Sequence, residues 1–396
     1  MFQQHKELHF SAVARKVLDG RYTFAPFLEK EIPKPESKDT RTISICSIRD
    51  CIVQRLLYRY LYDAIDIRLA PAVFGYRKGK KAHGAIRLIQ SHFRRGMIFV
   101  YDADISKFFD TVNHDILMGM IDQLGIDHRA RRLVLRFLKT DRIPSSAARL
   151  HKTESGKQRK YDTIVRDKGV PQGGVLSGML ANLYLAAFDS AIIGKHPGFV
   201  RYADDFLVCC TAEAECREVG ALVVSELEKL RLVLNKDKTF QCVSAEKGVG
   251  FLGFQMSTNK VRIRGRNVAR FKQRVTRVIQ TQVFTAPASV AVKKLCRRLR
   301  YKIRGPDEEQ LVRAAANGPL AARCRRSWIG YFRIVDDYNQ LRTLDRWLRR
   351  QVSGFAWRHF RFRVTLRMMQ EFRLPSLMNS LWKAKKGKQP YAEYDG

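Results

Sequence analysis

Val200-Arg201-Tyr202-Ala203-Asp204-Asp205-Phe206-Leu207-Val208-Cys209-Cys210 is the stretch that decides how this chain folds. It reads as a strand, a tight turn and a second strand, with two adjacent carboxylates at the turn. Adjacent carboxylates repel each other and destabilise a fold unless a cation holds them. A third carboxylate, Asp104, stands 100 residues before Asp204, near the end of the β-rich run 97–105 (MIFVYDADI). Residues 177–193 between them show the apolar face of a helix. A second helix, 212–230, and a strand, 249–256, follow. The order strand, helix, strand, turn, strand, helix, strand predicts an α+β fold built on a split βαβ sheet with helices on one face. In such a sheet the Asp104 strand lies beside the hairpin, and the three carboxylates meet at one edge.

Outward from this centre the pattern changes. Residues 1–30 carry Phe10, Val13, Val17 and Leu18 at helical spacing, and Pro33-Lys34-Pro35 breaks it. Two short β-like runs around Glu36-Ser37-Lys38-Asp39 predict a hairpin with basic residues, and 52–61 returns to helical periodicity. After Arg262 the chain becomes helical and basic. Leu341, Leu344, Leu348, Val352 and Phe355 line one face there, with Arg342, Arg346, Arg349 and Arg350 mostly off it. From Leu374 onward Lys and Pro accumulate, and the tail is expected to be loosely ordered.

With 45% hydrophobic and 10% aromatic residues in 396, the chain can bury two or three domain cores. Lys and Arg number 74 against 38 Asp and Glu, a formal net charge of +36. Self-repulsion on that scale opposes compaction unless a polyanion neutralises it, and nucleic acid is the default partner. Residues 261–396 hold 32 of the basic residues and only 9 of the acidic ones, which marks them as the main phosphate-contacting surface. A membrane partner is not expected: there is no basic amphipathic anchor, lipidation signal, apolar leader or bilayer-length apolar run. The eight cysteines form no paired C-x-x-C, so a structural zinc is not expected. Most sit among apolar residues as free thiols, which suits a reducing bacterial cytoplasm.

Hard oxygen donors such as Asp104, Asp204 and Asp205 suit Mg²⁺, with Mn²⁺ a substitute. Two such ions, held ~3.5–4 Å apart, can activate a primer hydroxyl and stabilise leaving pyrophosphate. An isolated Tyr-x-Asp-Asp is weak, because most Asp-Asp pairs are solvated turns. Here it stands in a series. Asp102-Ala103-Asp104-Ile105-Ser106-Lys107-Phe108-Phe109-Asp110 comes first, then Pro171-Gln172-Gly173-Gly174, Tyr202-Ala203-Asp204-Asp205, Leu234-Asn235-Lys236-Asp237-Lys238-Thr239 and Gly250-Phe251-Leu252-Gly253-Phe254.

Over about residues 20–360 the sequence resembles the reverse transcriptases encoded by bacterial group II introns and their domesticated relatives. Ile32-Pro33-Lys34-Pro35, Phe74-Gly75-Tyr76-Arg77-Lys78-Gly79 and Ala181-Asn182-Leu183-Tyr184-Leu185 also fit. Ser327-Trp328-Ile329-Gly330-Tyr331-Phe332 with Leu344-Asp345 resembles the maturase thumb. The resemblance implies a right-hand polymerase: fingers over 1–100, palm over 101–260 with an interleaved fingers segment at about 116–165, a basic helical thumb over 261–365 and a basic tail over 366–396. It implies Asp104, Asp204 and Asp205 as metal ligands, with the Ile105 carbonyl completing one site. Lys34 and Arg41 would grip the incoming triphosphate, where the rival reading is ordinary solvated charge. Gln172 and Lys238 would lie near the nucleotide. Phe108 would crowd the sugar 2′ position, or else pack in the core. Gly250, Phe251, Leu252 and Gly253 would form a primer grip, and Arg342, Arg346, Arg349 and Arg350 would contact nucleic acid. His83 and His114 read as hydrogen-bonded structural histidines.

The implied reaction copies an RNA template into DNA from a DNA or RNA primer and dNTPs. Two departures from the family shape the expected role. Ile32-Pro33-Lys34-Pro35 arrives early for a full N-terminal extension, and no nuclease with paired cysteines fits after the thumb. A stand-alone enzyme copying a dedicated structured non-coding RNA in antiphage defence is the expectation, with an intron maturase as the alternative.

Overall fold

The fold is described from a computed structural model, for residues 6–33, 40–146, 163–235, 237, 239–281, 287–306 and 327–386. Lys34 and Lys238 lie outside these residues. The chain divides into two compact units, Met1–Val243 and Ser244–Asp395.

The first unit opens with the helix Lys6–Leu18, shorter than the helical spacing suggests. Gly20, at φ 66°, takes the left-handed conformation that ends helices, and its N–H returns to the Val17 carbonyl. The expected basic hairpin follows as β1 (Phe27–Pro33) and β2 (Thr40–Ile45), antiparallel from Leu28↔Ile45 to Pro33↔Thr40. The next strands are β3 (Phe99–Asp104), β4 (Arg142–Ile143), β5 (Phe199–Tyr202), β6 (Asp205–Cys210) and β7 (Phe240–Ser244). The central sheet runs β5-β6-β3-β7, and β4 joins β1 in a second sheet. Phe206 to Cys210 are each at most 1% exposed, so both faces of β6 are covered, not one. The run Phe-Leu-Val-Cys-Cys has no polar alternation that would suit a wet face.

Other readings change as well. Residues 177–193 form two helices, Ser177–Tyr184 and Ala186–Lys195, bent by 44°. Among the described residues no single helix is long and apolar enough to cross a membrane. This pair passes that test only together, and Leu180, Leu183, Phe188 and Ile192 place it in the core. Cys46 and Cys51 are joined in a disulfide, whereas Cys209, Cys210, Cys216, Cys242 and Cys296 are free. The chain reverses between β2 and the helix Ile48–Asp66, bringing these two Cα atoms to 6.3 Å.

In the second unit, residues 249–256 form a hairpin, β8 (Val249–Phe251) and β9 (Phe254–Met256), and β10 (Val261–Ile263) pairs with β9. The single expected strand breaks because Leu252 and Gly253 both take positive φ, 48° and 83°. Basic helices follow at Gly265–Gln280, Ala288–Arg304 and Tyr338–Phe360. The stretch from Leu374 is not loose as far as Lys386: the helix Leu366–Glu371 precedes it and the helix Leu377–Lys385 occupies it. Leu377, Leu381 and Ala384 recur at helical spacing and are buried. Both Asp345 carboxylate oxygens accept bonds at the start of this last helix, from Ser376 Oγ (2.9 Å), Leu377 N (2.7 Å) and Met378 N (3.2 Å).

Candidate active site at the β3–β6 edge

Strand register brings two of the three carboxylates face to face. Asp104 is the pairing partner of Asp205, and Asp205 also pairs with Tyr202 across the hairpin. Ala203 and Asp204 form the connecting turn. Ala203 has φ 61°, a conformation that glycine usually supplies at the first central position of such turns.

Residues 233–235 fasten the end of β3. The Asn235 N–H bonds the Asp104 carbonyl at 2.8 Å, Ser106 N–H bonds Val233 O at 2.8 Å, and Ile105 bridges to Leu234. This pattern leaves the Ile105 carbonyl outside that pair of bonds. Asn235 Nδ2 also donates to Asp104 Oδ2 at 3.3 Å, which orients the carboxylate.

Behind the turn lies Arg201, 0% exposed. Its guanidinium donates to both oxygens of Asp189 (2.7 and 2.5 Å), to Asn182 Oδ1 (2.9 Å) and to the carbonyl of Ala203 (2.8 Å). Burial pushes the Asp189 carboxyl above its usual range, and Arg201 opposes that. Arginine does not deprotonate in proteins, so its buried charge needs this counter-ion. Asn182 Nδ2 donates in turn to Gly75 O at 2.7 Å. The segment 72–75 runs beside β5 as a short parallel edge, with Arg201 N–H on Ala72 O and Phe74 N–H on Arg201 O. A Cβ on Gly75 would collide with the Ala203 backbone nitrogen, so glycine is required for the close approach. One buried network therefore sets the backbone that presents Asp204 and Asp205.

The Pro171-Gln172-Gly173-Gly174 loop lies against β2. Ser44 N–H bonds the Gln172 carbonyl at 2.7 Å. Gly173, at φ 106°, would place a Cβ 2.9 Å from Ser44 O, so no other residue fits without displacing the strand. The loop is also tied at Gly169, whose carbonyl meets His114 Nε2 at 2.7 Å. Burial lowers the His114 imidazole, so the neutral ring is the stable form and Nε2 carries the proton it gives to Gly169. The Gln172 side chain is half-buried and Arg41 is exposed on β2. Tyr76 lies within the electrostatic reach of both Arg41 and the turn: its phenol is pushed up to about 12 by partial burial, by the Asp204 charge and by Tyr202, against the pull of Arg41.

Phe108 is only 2% exposed, with its ring 6.5 Å from that of Tyr184, so it belongs to the core. The half-buried neighbour Phe109 meets Tyr76 edge-on at 6.2 Å. Of the two phenylalanines, Phe109 is the one beside the residues that surround Asp204.

In the second unit, Gly250 and Phe251 end β8, and Leu252 and Gly253 form the β8–β9 turn. Tyr331 Oη donates to Leu252 O at 2.8 Å, and Asn267 Nδ2 to Gly253 O at 2.9 Å. Phe254 stacks on Tyr331 with centroids 5.5 Å apart. The Ser-Trp-Ile-Gly-Tyr-Phe motif thus braces the expected primer grip. Arg342, Arg346, Arg349 and Arg350 are exposed along the helix Tyr338–Phe360, as phosphate contacts require.

Among the described residues, no group of three or more His, Cys, Asp or Glu stands ready as a metal cage. The donor set still fits a hard divalent cation. Among the described residues the edge offers hard oxygen donors, the three carboxylates foremost, and Mg²⁺ is bound by one or two carboxylates together with substrate phosphates. The sequence reading missed Asn235, Arg201, Asp189, Tyr76 and Phe109. Arg201 left a signal: a lone charge in an otherwise apolar strand.

Residues 32–256 match the reverse transcriptase (RNA-dependent DNA polymerase) family, and the chain belongs to that family. Its α+β fold is of the right-hand polymerase class. The chain is 26% identical to protein YkfC of Escherichia coli (strain K12) over 302 residues, 66% of this chain and 74% of that one. It is 28% identical to the group II intron-encoded protein LtrA of Lactococcus lactis subsp. cremoris over 184 residues, 46% of this chain but only 28% of LtrA. Apo telomerase from Candida tropicalis matches with a TM-score of 0.49 and 13% identity, over 92% of this chain and 63% of the telomerase.

Proposed function

We propose that this protein extends a primer with deoxynucleotides on an RNA template, with its reacting edge at Asp104, Asp204 and Asp205. The observation that supports this best is the pairing of Asp104 with Asp205 beside the Ala203–Asp204 turn. A divalent cation bound by these carboxylates, Mg²⁺ or Mn²⁺, would lower the pKa of the primer hydroxyl and neutralise charge on the leaving phosphates. The rest of the task is positioning. Asn235 orients Asp104, Arg201 holds the turn, and β2 fixes the Gln172–Gly173 backbone where a base pair would stack. Arg41 supplies positive charge for a triphosphate. The ring that crowds the sugar is Phe109 in this reading, because Phe108 is buried.

The test is single-nucleotide extension of a DNA primer on an RNA template, with dNTP and rNTP compared. Wild type should prefer dNTP, and Phe109→Val should erode that preference while Phe108→Val should not. Equal use of rNTP by the wild type would make it an RNA polymerase and overturn the assignment.

For the cellular role we propose a dedicated structured non-coding RNA as template, serving antiphage defence. The likeness to LtrA, a group II intron-encoded protein, favours a second reading, a maturase that aids splicing and mobility. Sequencing the RNA and DNA purified with the protein decides between them. A short structured RNA with matching cDNA supports the first, and an intron with its splice junctions the second.

A further inference from the structure

The family match ends at residue 256, and the surface of the second unit beyond it carries an aromatic pair with no part in the site described above. Tyr338 begins the helix Tyr338–Phe360, and Trp382 lies in the helix Leu377–Lys385. Their rings stack, with centroids 5.6 Å apart and planes inclined by 21°. Lys385 Nζ lies 5.2 Å from the Tyr338 ring centre, 5.9 Å from that of Trp382 and 3.3 Å from the Tyr338 hydroxyl.

Packing alone does not account for the pair. The buried face of the last helix is already supplied by Leu377, Leu381 and Ala384. Trp382 remains 45% exposed, leaving indole surface in water that a core role would cover. Its neighbours at helical spacing are Lys385 and Lys386, and Arg342 lies one turn beyond Tyr338. All three are exposed and cationic, and the last helix contains no acidic residue. The two acids before Tyr338 are engaged elsewhere: Asp336 accepts the Val261 N–H at 2.7 Å, and Asp337 pairs with Arg262 at 2.5 Å.

We infer that Tyr338, Trp382 and Lys385 form a stacking platform for unpaired bases of a bound RNA strand. The inference rests on nucleic acid being the partner, as proposed above. Bases stack on exposed aromatic rings, and surrounding cations track the phosphates. Bases inside a duplex are stacked on each other and present no free face. The platform therefore selects single-stranded segments, which a phosphate-contacting surface alone does not.

The experiment measures the affinity of the full chain for an unstructured 12-nucleotide RNA and for a blunt RNA duplex of the same length, over a series of salt concentrations. Trp382→Ala and Tyr338→Ala should each weaken single-strand binding about tenfold, the effect of losing one stacked base. Duplex affinity and the slope of log K against log salt should stay unchanged, since no phosphate contact is removed. Trp382→Phe should recover most of the loss, and a thermal melt shows whether each variant remains folded. Single-strand affinity equal to wild type in folded Ala variants, or an equal loss on the duplex, overturns the platform and assigns the pair to packing or to a protein partner. Wild type that binds neither RNA overturns the nucleic-acid reading itself, a separate failure.

Discussion

Arg201 shows how much of this site depends on a residue that never meets substrate. Its charge is buried with that of Asp189, and one of its N–H groups holds the Ala203 carbonyl. Asp189→Asn leaves an unpaired buried cation and should cost about 3–5 kcal/mol of stability in a denaturant titration. Replacing both partners, Arg201→Met with Asp189→Leu, should recover most of that stability without recovering nucleotide incorporation, because nothing then holds Ala203 in its left-handed conformation. A double variant that regains both would show that the turn holds its shape unaided. At this scale the sequence was legible where chemistry dictates residue type. Asp104, Asp204 and Asp205 have few other reasons to sit at strand ends. Arg201, Asn182 and Asp189 were each visible as polar residues among apolar ones. The contacts of Arg201 with Asp189 and Asn182 span 12 and 19 residues of sequence, and only the packed fold decides them. Phe108 and Phe109 could not be told apart because adjacent residues differ only in which way the chain turns after Asp104.

The elements were legible where periodicity is sustained. The hairpin of β1 and β2, the run around Asp104 and the Tyr202–Asp205 turn all form as the pattern indicates. Short elements escaped. The helix Leu377–Lys385 has only nine residues and is marginal in isolation. Packing of Leu377 and Leu381 sustains it, together with the Asp345 carboxylate at its first turn. Asp345→Ala should therefore cost about 1–2 kcal/mol, the upper range for a lost helix cap. Hydrogen exchange should quicken at Leu377 and Met378 and leave the β3–β6 strands unchanged. Protection at those two amides equal to wild type would show that the cap contributes nothing.

The whole molecule carries a formal charge of +36, and acid adds to it at buried positions. His92 and His114 both titrate below the usual histidine range, burial being the main cause for each. Neither ring nitrogen of His92 has a hydrogen-bond partner among the described residues. The native state thus binds fewer protons here than the unfolded chain, whose histidines titrate near ~6.5. Stability is then complete above that pH and declines as pH falls through the window between the unfolded and the lower native value. His92→Leu keeps the apolar volume and removes one of the two protons involved. It should flatten the decline of melting temperature between pH 7 and about pH 5. A decline as steep as that of wild type would place the acid sensitivity elsewhere. Net charge was legible from composition and pointed to a polyanionic partner, but how burial tunes individual histidines is a property of the packed fold.

The most direct test of the central claim is primer extension on an RNA template with dNTPs and Mg²⁺, comparing wild type with Asp104→Asn, Asp204→Asn and Asp205→Asn. The amide preserves shape and removes the charge that holds a cation. Each variant should fall to about one-thousandth of the wild-type rate or below, a loss of roughly 4 kcal/mol in transition-state stabilisation, while still binding the primer–template. Extension by Asp205→Asn at the wild-type rate would contradict the assignment of the β3–β6 edge as the reacting centre.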